Sequence, residues 1–501
     1  MTASASGRIS GLLGHSAAYA VANILQRGLA FVLIPIYATY FSAAEFGAMD
    51  ILYQAVITLS LAASLGLPQG MVRGFFPPDG KDPATDAERK RILGALTTLL
   101  IPLSVVLTAA VLIFSGPLAR VLLHGEGKPT LIRLSAWFYL ALAVQQVPLQ
   151  YLRTVGRSKA YAAWLLAGFI LAAAGNLIGI AILHIGVEGM LWGNLLGTGL
   201  TAVGMWLTAM PRTRLNFEWS VLRPLFAFGM PMLPNLLCRR ALETASRYIL
   251  PLSWGLSELG IFSMGARVSA ILEMMILLPF MYAWQPFFYG QARRPDAPRV
   301  FAQVTHYVLV VMCAVLVALQ WLQDPILEIL GRGKYAAAAP VATWLAISVS
   351  FSCMQSCVAA GVHLGGKLVA EMILMAISAA ISIAGNLLLT PRWGAAGAAA
   401  STAAGYAFYL VASWFLAKRA YPIPYLWGRG AWIASLALAA GWLAGASHSA
   451  WVKPAALIAF LILGPGFDLW KHGELARAAT WLARRRRKPV AQAETAAAAS
   501  L

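Results

Sequence analysis

Four arginines stand where an apolar chain should not tolerate them. Arg27, Arg239 and Arg240 fall near the middle of apolar stretches, and Arg267 about a third of the way into another. Each costs about 2.5 to 3.5 kcal/mol at the centre of a membrane helix, so its presence calls for a chemical reason. A guanidinium offers a planar fork of donors that grips carboxylate or phosphate oxygens through two parallel hydrogen bonds. The polar residues around these arginines come in stripes: His15, Tyr19, Asn23 and Arg27; Asp50, Gln54 and Thr58; Asn235, Arg239, Glu243 and Arg247; Ser263 and Arg267. Steps of four put each stripe on one face of a helix. The expectation is one water-filled cavity lined by Asn23, Arg27, Asp50, Gln54, Asn235, Arg239, Arg240 and Arg267. Asp50, Glu243 and Glu273 are the candidates for an ion-coupling or charge-partner role, with H+ or Na+ as the ion. The alternative is that the charges are internal ion pairs holding helices together; Glu243 is four residues from Arg239 and three from Arg240, within reach of either on its own helix. Arg247 reads as a side chain snorkelling to the outer surface.

The elements that carry these stripes are apolar stretches near residues 15–37, 44–65, 93–115, 132–152, 161–183, 189–209, 224–250, 259–283, 304–322, 341–364, 368–389, 397–417, 431–445 and 454–470. Most have the roughly 17 to 25 residues that a spanning helix needs. This predicts an all-α polytopic membrane protein of about 14 transmembrane helices. Counted from an inside N-terminus, the even gaps and the two tails hold 26 Lys and Arg residues and the odd gaps 6. The positive-inside rule then puts both termini in the cytoplasm.

Sliding the chain against itself by 213 residues brings Gln26 and Arg27 onto Arg239 and Arg240, Glu45 and Gly47 onto Glu258 and Gly260, and Gln54 onto Arg267. Further on, Gly175, Asn176, Gly186 and Gly189 correspond to Gly385, Asn386, Gly394 and Gly397 at a slightly smaller offset. Six helices are an even number, so the repeat is parallel with its axis along the membrane normal. The expected organisation is a cytoplasmic N-terminus (1–14), an N-lobe of six helices (15–209), a cytoplasmic linker (210–223), a C-lobe of six helices (224–417), an extra helix pair (431–470) and a basic cytoplasmic tail (471–501).

With 60% apolar and 11% charged residues the chain has little room for a soluble domain. The net charge of +19 and the run Arg484 to Lys488 would suit nucleic acid, but the basic residues follow the last helix, where anionic inner-leaflet lipids are the expected partner and nucleic acid is not. The first stretch is longer than the apolar core of a signal peptide and carries Arg27, so it should persist in the mature protein. Cys238, Cys313, Cys353 and Cys357 all fall inside apolar stretches, which argues against a disulfide framework. Cys353 and Cys357 share a face with no acid or histidine to complete a metal set, and no cofactor is expected. Gln145, Gln146, Gln150, Asn194, Thr198, Ser378, Ser382 and Asn386 read as helix-to-helix hydrogen-bonding residues. Pro231 and Pro234 should kink the seventh helix where its polar stripe begins.

The N-terminal run from Ile34 through Pro35, Ile36, Tyr37 and Ala38, then Ser42 to Gly47, then Ser64 to Leu67 and Arg73, resembles the signature of bacterial polysaccharide-biosynthesis membrane proteins. These are the O-antigen type flippases of the multidrug/oligosaccharidyl-lipid/polysaccharide exporter superfamily. The resemblance covers residues 10–80 most strongly, then 247–284, and elsewhere is topological. It implies a two-lobed transporter of the bacterial inner membrane, not an enzyme, that turns an undecaprenyl-pyrophosphate-linked oligosaccharide from the inner to the outer leaflet by alternating access. A polysaccharide polymerase and export machinery are the partners it implies. Fourteen helices also resemble the lipid II flippase branch, where arginines on helices 1, 2 and 8 matter; Arg27 and Arg267 fit helices 1 and 8, while helix 2 offers Asp50. A multidrug exporter of organic cations would carry more acid than arginine. A membrane polymerase or ligase would carry a large outer loop with catalytic Arg or His, and here His124, His184 and His448 stand singly in short gaps.

Overall fold

The computed structural model describes residues 25–26, 28–76, 84–124, 128–211, 213–446 and 451–466. Among these the chain is helical, with no strand. The helices are α1 (Gly28–Tyr40), α2 (Ala43–Ala63), α3 (Leu67–Phe75), α4 (Asp86–Ile113), α5 (Ser115–Leu122), α6 (Pro129–Thr154), α7 (Ser158–Leu177), α8 (Gly186–Thr208), α9 (Trp219–Gly229), α10 (Leu233–Leu272), α11 (Leu278–Gln291), α12 (Ala297–Gly331), α13 (Ala339–Leu364), α14 (Leu368–Ala420), α15 (Trp427–Ala446) and α16 (Val452–Leu461). Among the described residues, seven helical runs are long and apolar enough to cross a membrane by length and composition. Two of them, Trp219–Gln291 and Leu368–Ala420, each hold two of the apolar stretches, because the chain turns sharply at Gly255 in α10 and at Gly394 in α14. Every one of the fourteen apolar stretches contains helix within its described residues.

Local chemistry sets the helix starts. Ser42 caps α2: its hydroxyl accepts the Glu45 amide at 3.2 Å while the Glu45 carboxylate accepts the Ser42 amide at 2.9 Å, satisfying two donors that a bare N-terminus leaves open. Thr85 and Glu88 repeat the motif on α4. Between α9 and α10 the chain tightens into a 3-10 turn, Met230–Met232, where Pro231 and Pro234 withhold backbone donors. The α-helical pattern is thus interrupted at the prolines, at the start of the polar stripe.

The chain divides into two compact units. The first, 1–279 with 325–351 and 367–413, holds both polar stripes of α10 and that of α2. Some polar side chains stitch helices as expected, Gln145 to Thr201 at 2.7 Å, Gln146 to Ser60 at 2.6 Å, and Asn194 to Asn176 at 3.3 Å, whereas Ser378 and Asn386 bond carbonyls one turn back on their own helix. Gly186 and Gly394, repeat-equivalent by sequence, both have φ of 57°, a left-handed turn that a side chain resists. In the second of these turns the Glu258 carboxylate accepts the Ala395 amide at 3.0 Å.

The second unit, 280–324 with 352–366 and 414–501, is built around aromatic and small residues. Trp284 packs among Phe280, Phe287, Phe288 and Phe301 and donates its indole N–H to the Ser356 carbonyl at 3.1 Å. Cys313 and Val317 of α12 meet Ile433 and Ala440 of α15 and Ala456 and Phe460 of α16, and Lys453 pairs with Asp324. The C-terminal helix pair is thereby fastened to α12.

Candidate functional site

The sharp turn at Gly255 lays the two halves of α10, 233–254 and 256–272, against α2. The second half meets α2 in constant register. A β-carbon added at Gly47 would strike the Leu256 carbonyl oxygen, and one at Gly260 would strike that of Ala43. Residues 43 and 256, like 47 and 260, are 213 apart, so each contact is the mirror of the other across a local two-fold axis. Glycine at both positions lets the backbones touch, as small residues do at membrane helix interfaces.

One turn further along, the seam becomes polar. Asp50, 2% exposed, receives hydrogen bonds from Arg247 Nε (2.7 Å) and Ser263 Oγ (2.8 Å) on one carboxylate oxygen and from Gln54 Nε2 (3.2 Å) on the other, with Arg267 3.9 Å from that second oxygen. Arg247 is nearly buried, at 14% side-chain exposure, while Arg267 keeps 38%. The Phe262 ring lies 5.4 Å below the Arg247 guanidinium, and Arg247 also donates to the Glu243 carbonyl at 2.8 Å. Deeper along α2, Arg240 donates to Gln54 Oε1 at 2.6 Å and to Thr58 Oγ1 at 3.2 Å. One carboxylate thus serves two guanidiniums, and the third is held by neutral oxygens.

The predicted residues sort as follows. Asp50, Gln54, Arg240 and Arg267 come together. Arg239, adjacent to Arg240 and so about 100° around the helix, instead has Tyr406 and Tyr409 of α14, with Glu243 and Glu371, as its electrostatic neighbours. Asn235 is half-buried and makes no side-chain hydrogen bond among the described residues. Glu273 opens a π-turn, Glu273–Leu277, past the end of α10. Asn23 and Arg27 lie outside the described residues. One expectation is corrected. Arg247 does not snorkel; it pairs with Asp50 on a different helix. The Arg240 guanidinium takes Gln54 and Thr58 as its hydrogen-bond partners, leaving Glu243 in the field of Arg239 first and of Arg240 second. Ser263 was visible as part of a stripe, and its offset of 213 from Asp50 was the signal for their contact.

A second, uncharged feature lies among α2, α3, α4 and α6: a small cleft bordered by Ser60, Ser64, Ser104, Gln146 and Gln150 along with apolar side chains. Among the described residues no group of three His, Cys, Asp or Glu side chains is placed to hold a metal ion.

Residues 12–290 match the family model described as polysaccharide biosynthesis protein. The chain belongs to this family. A curated relative, the succinoglycan biosynthesis transport protein ExoT of Rhizobium meliloti strain 1021, is 25% identical over 344 residues, covering 64% of this chain and 63% of the relative, so the match spans under two thirds of that protein. Among solved structures, the lipid II flippase MurJ in an inward closed conformation superposes with a TM-score of 0.72 at 12% identity, covering 91% of this chain and 99% of that one. An inward-facing multidrug resistance MATE family transporter of the MOP superfamily gives 0.61 at 14% identity, covering 79% and 94%. The fold of this family member is therefore that of MurJ and the MATE transporters, and the protein is a multi-pass membrane protein.

Proposed function

We propose that this protein is a flippase that carries an undecaprenyl-diphosphate-linked oligosaccharide from the inner to the outer leaflet of the bacterial inner membrane by alternating access. The observation that carries the reading is the cluster inside apolar helices in which Arg247 and Arg267 share the single carboxylate of Asp50 while Arg240 is held beside them by Gln54 and Thr58. Two of these guanidiniums share one negative charge, and the third holds neutral oxygens, so the cluster has affinity left for an anion. A diphosphate supplies paired oxygens that match the guanidinium fork. The family and the transport role of the succinoglycan relative favour a glycan cargo.

Orientation follows from the 26 to 6 asymmetry of basic residues, which sets both termini in the cytoplasm and the turn between α1 and α2 on the outer side. The two-lobed organisation, 15–209 and 224–417, remains part of this reading, as does coupling to H+ or Na+ through Asp50, Glu243 or Glu273. Glycosyltransfer and polymerisation then belong to other proteins of the same assembly line.

The test is deletion of the gene followed by measurement of lipid-linked oligosaccharide on each leaflet. Loss of surface glycan, with precursor accumulating on the inner leaflet and restored by the native chain, is the expected result. Normal export in the deletion strain overturns the proposal.

A further inference from the structure

Asp50 does more than neutralise charge: it ties together two helices whose backbones already touch. On α2 it lies seven residues from Ala43, or about 10 Å at 1.5 Å per residue, beside the contact of Gly47 with Gly260. Across the seam it holds Arg247 on the first half of α10, and Ser263 on the second at 2.8 Å, with Arg267 3.9 Å away. At Gly47 and Gly260 the two backbones meet directly, and the carboxylate adds charge-assisted hydrogen bonds across the same pair of helices. The link is also of the one kind that an anionic cargo can replace, since a carboxylate and a phosphate offer a guanidinium the same pair of acceptor oxygens. Arg267 keeps 38% exposure, which leaves its outer donors open to a newcomer while its inner side faces Asp50.

We propose that Asp50 is a resident anion standing in for the cargo's diphosphate, and that the diphosphate, by drawing Arg267 and then Arg247 from it, releases the seam between α2 and α10. This inference rests on the flippase reading and its orientation, in which the Gly47 end of the seam faces outward. In the empty protein the carboxylate keeps the outer end shut. Cargo binding converts a bond between helices into a bond between protein and cargo, so opening is conditional on the diphosphate being present. A neutral lipid, or a glycan without its diphosphate, has nothing to offer the guanidiniums and leaves the seam closed.

The experiment places a cysteine on the seam by Leu256→Cys in the full-length chain, a position 3% exposed in the native protein. Labelling is by a membrane-impermeant maleimide in right-side-out vesicles, against the chain without the added thiol. Binding of undecaprenyl diphosphate to the purified protein is measured in parallel. Labelling should be low in the empty protein and rise several-fold with undecaprenyl diphosphate, but not with undecaprenol. Asp50→Asn should raise labelling without ligand and bind undecaprenyl diphosphate about tenfold more tightly, the scale of removing one competing charge-assisted pair. A purely structural aspartate predicts the opposite, weaker binding. If Asp50→Asn does not accumulate in the membrane, Arg247→Gln breaks the same link from the other helix and should raise labelling likewise. Tight binding of undecaprenyl diphosphate to the native chain, with labelling unchanged by ligand and by both substitutions, overturns the latch and leaves the flippase reading standing. Absence of any binding by the native chain overturns the diphosphate reading, and the latch with it.

Discussion

Ser263 Oγ donates to Asp50 Oδ2 at 2.8 Å, and the two residues stand 213 positions apart, the offset of the internal repeat. They occupy the same place in the two repeats and meet at the local two-fold axis. One repeat supplies an acid there and the other a hydroxyl. The pair can hydrogen-bond where two aspartates would repel, and the surplus charge of Asp50 is turned toward arginines on α10.

The glycine seam should be intolerant of a single methyl. Gly260→Ala and Gly47→Ala each drive a β-carbon into a backbone oxygen that no rotamer change can move. Overpacking of this kind costs about 1 to 3 kcal/mol. Thermal unfolding in detergent should show both variants melting well below the native protein, while Gly116→Ala, with open space around it, melts normally.

Arginine at 267 should matter for its shape as well as its charge. Lysine keeps the positive charge but loses the planar fork. Arg267→Lys is therefore expected to bind undecaprenyl diphosphate several-fold more weakly than native, and Arg267→Ala more weakly still, with both inserting at normal levels. Equal affinity of the native, Lys and Ala forms would remove Arg267 from headgroup binding.

Topology can be read by cysteine substitution and reporter fusion. Positions 90, 157, 294 and 488 are expected in the cytoplasm, and 128 and 332 outside. A reporter at Lys488 that responds as periplasmic would break the fourteen-helix count.

The cysteines should differ in reactivity. Cys353 and Cys357 are fully buried in α13, whereas Cys238 is only half-buried, so a maleimide added to the folded protein should spare the first two. After denaturation in detergent all four should react, as mass spectrometry would show.

The helices were legible because hydrocarbon length sets one scale for all of them, and the apolar stretches of the sequence needed only to be counted. The repeat offset was legible too, superposing Gly47 on Gly260 and Gln54 on Arg267, but the sequence pointed to a water-filled cavity there and not to touching backbones. What was not legible was partner choice. Arg247, close to a helix end, has the pattern of a side chain that escapes to the surface, and its actual partner is 197 residues away on α2. The same distance hid the preference of Arg240 for Gln54 and Thr58, since the acid visible in sequence, Glu243, lay one turn along. Arg239 and Arg240 read as a unit in one dimension and separate in three, because neighbours on a helix face different elements.

The reciprocal contact of Gly47 with Leu256 and of Gly260 with Ala43 carries an evolutionary consequence. Two copies of one ancestral helix, once duplicated, are free to diverge wherever they face lipid. At this axis they are not, because enlarging either glycine pushes against the other copy's backbone and no change within its own copy relieves it. Drift on one side is thus tolerated only with movement on the other, which makes the two positions a single inherited trait written twice in the gene.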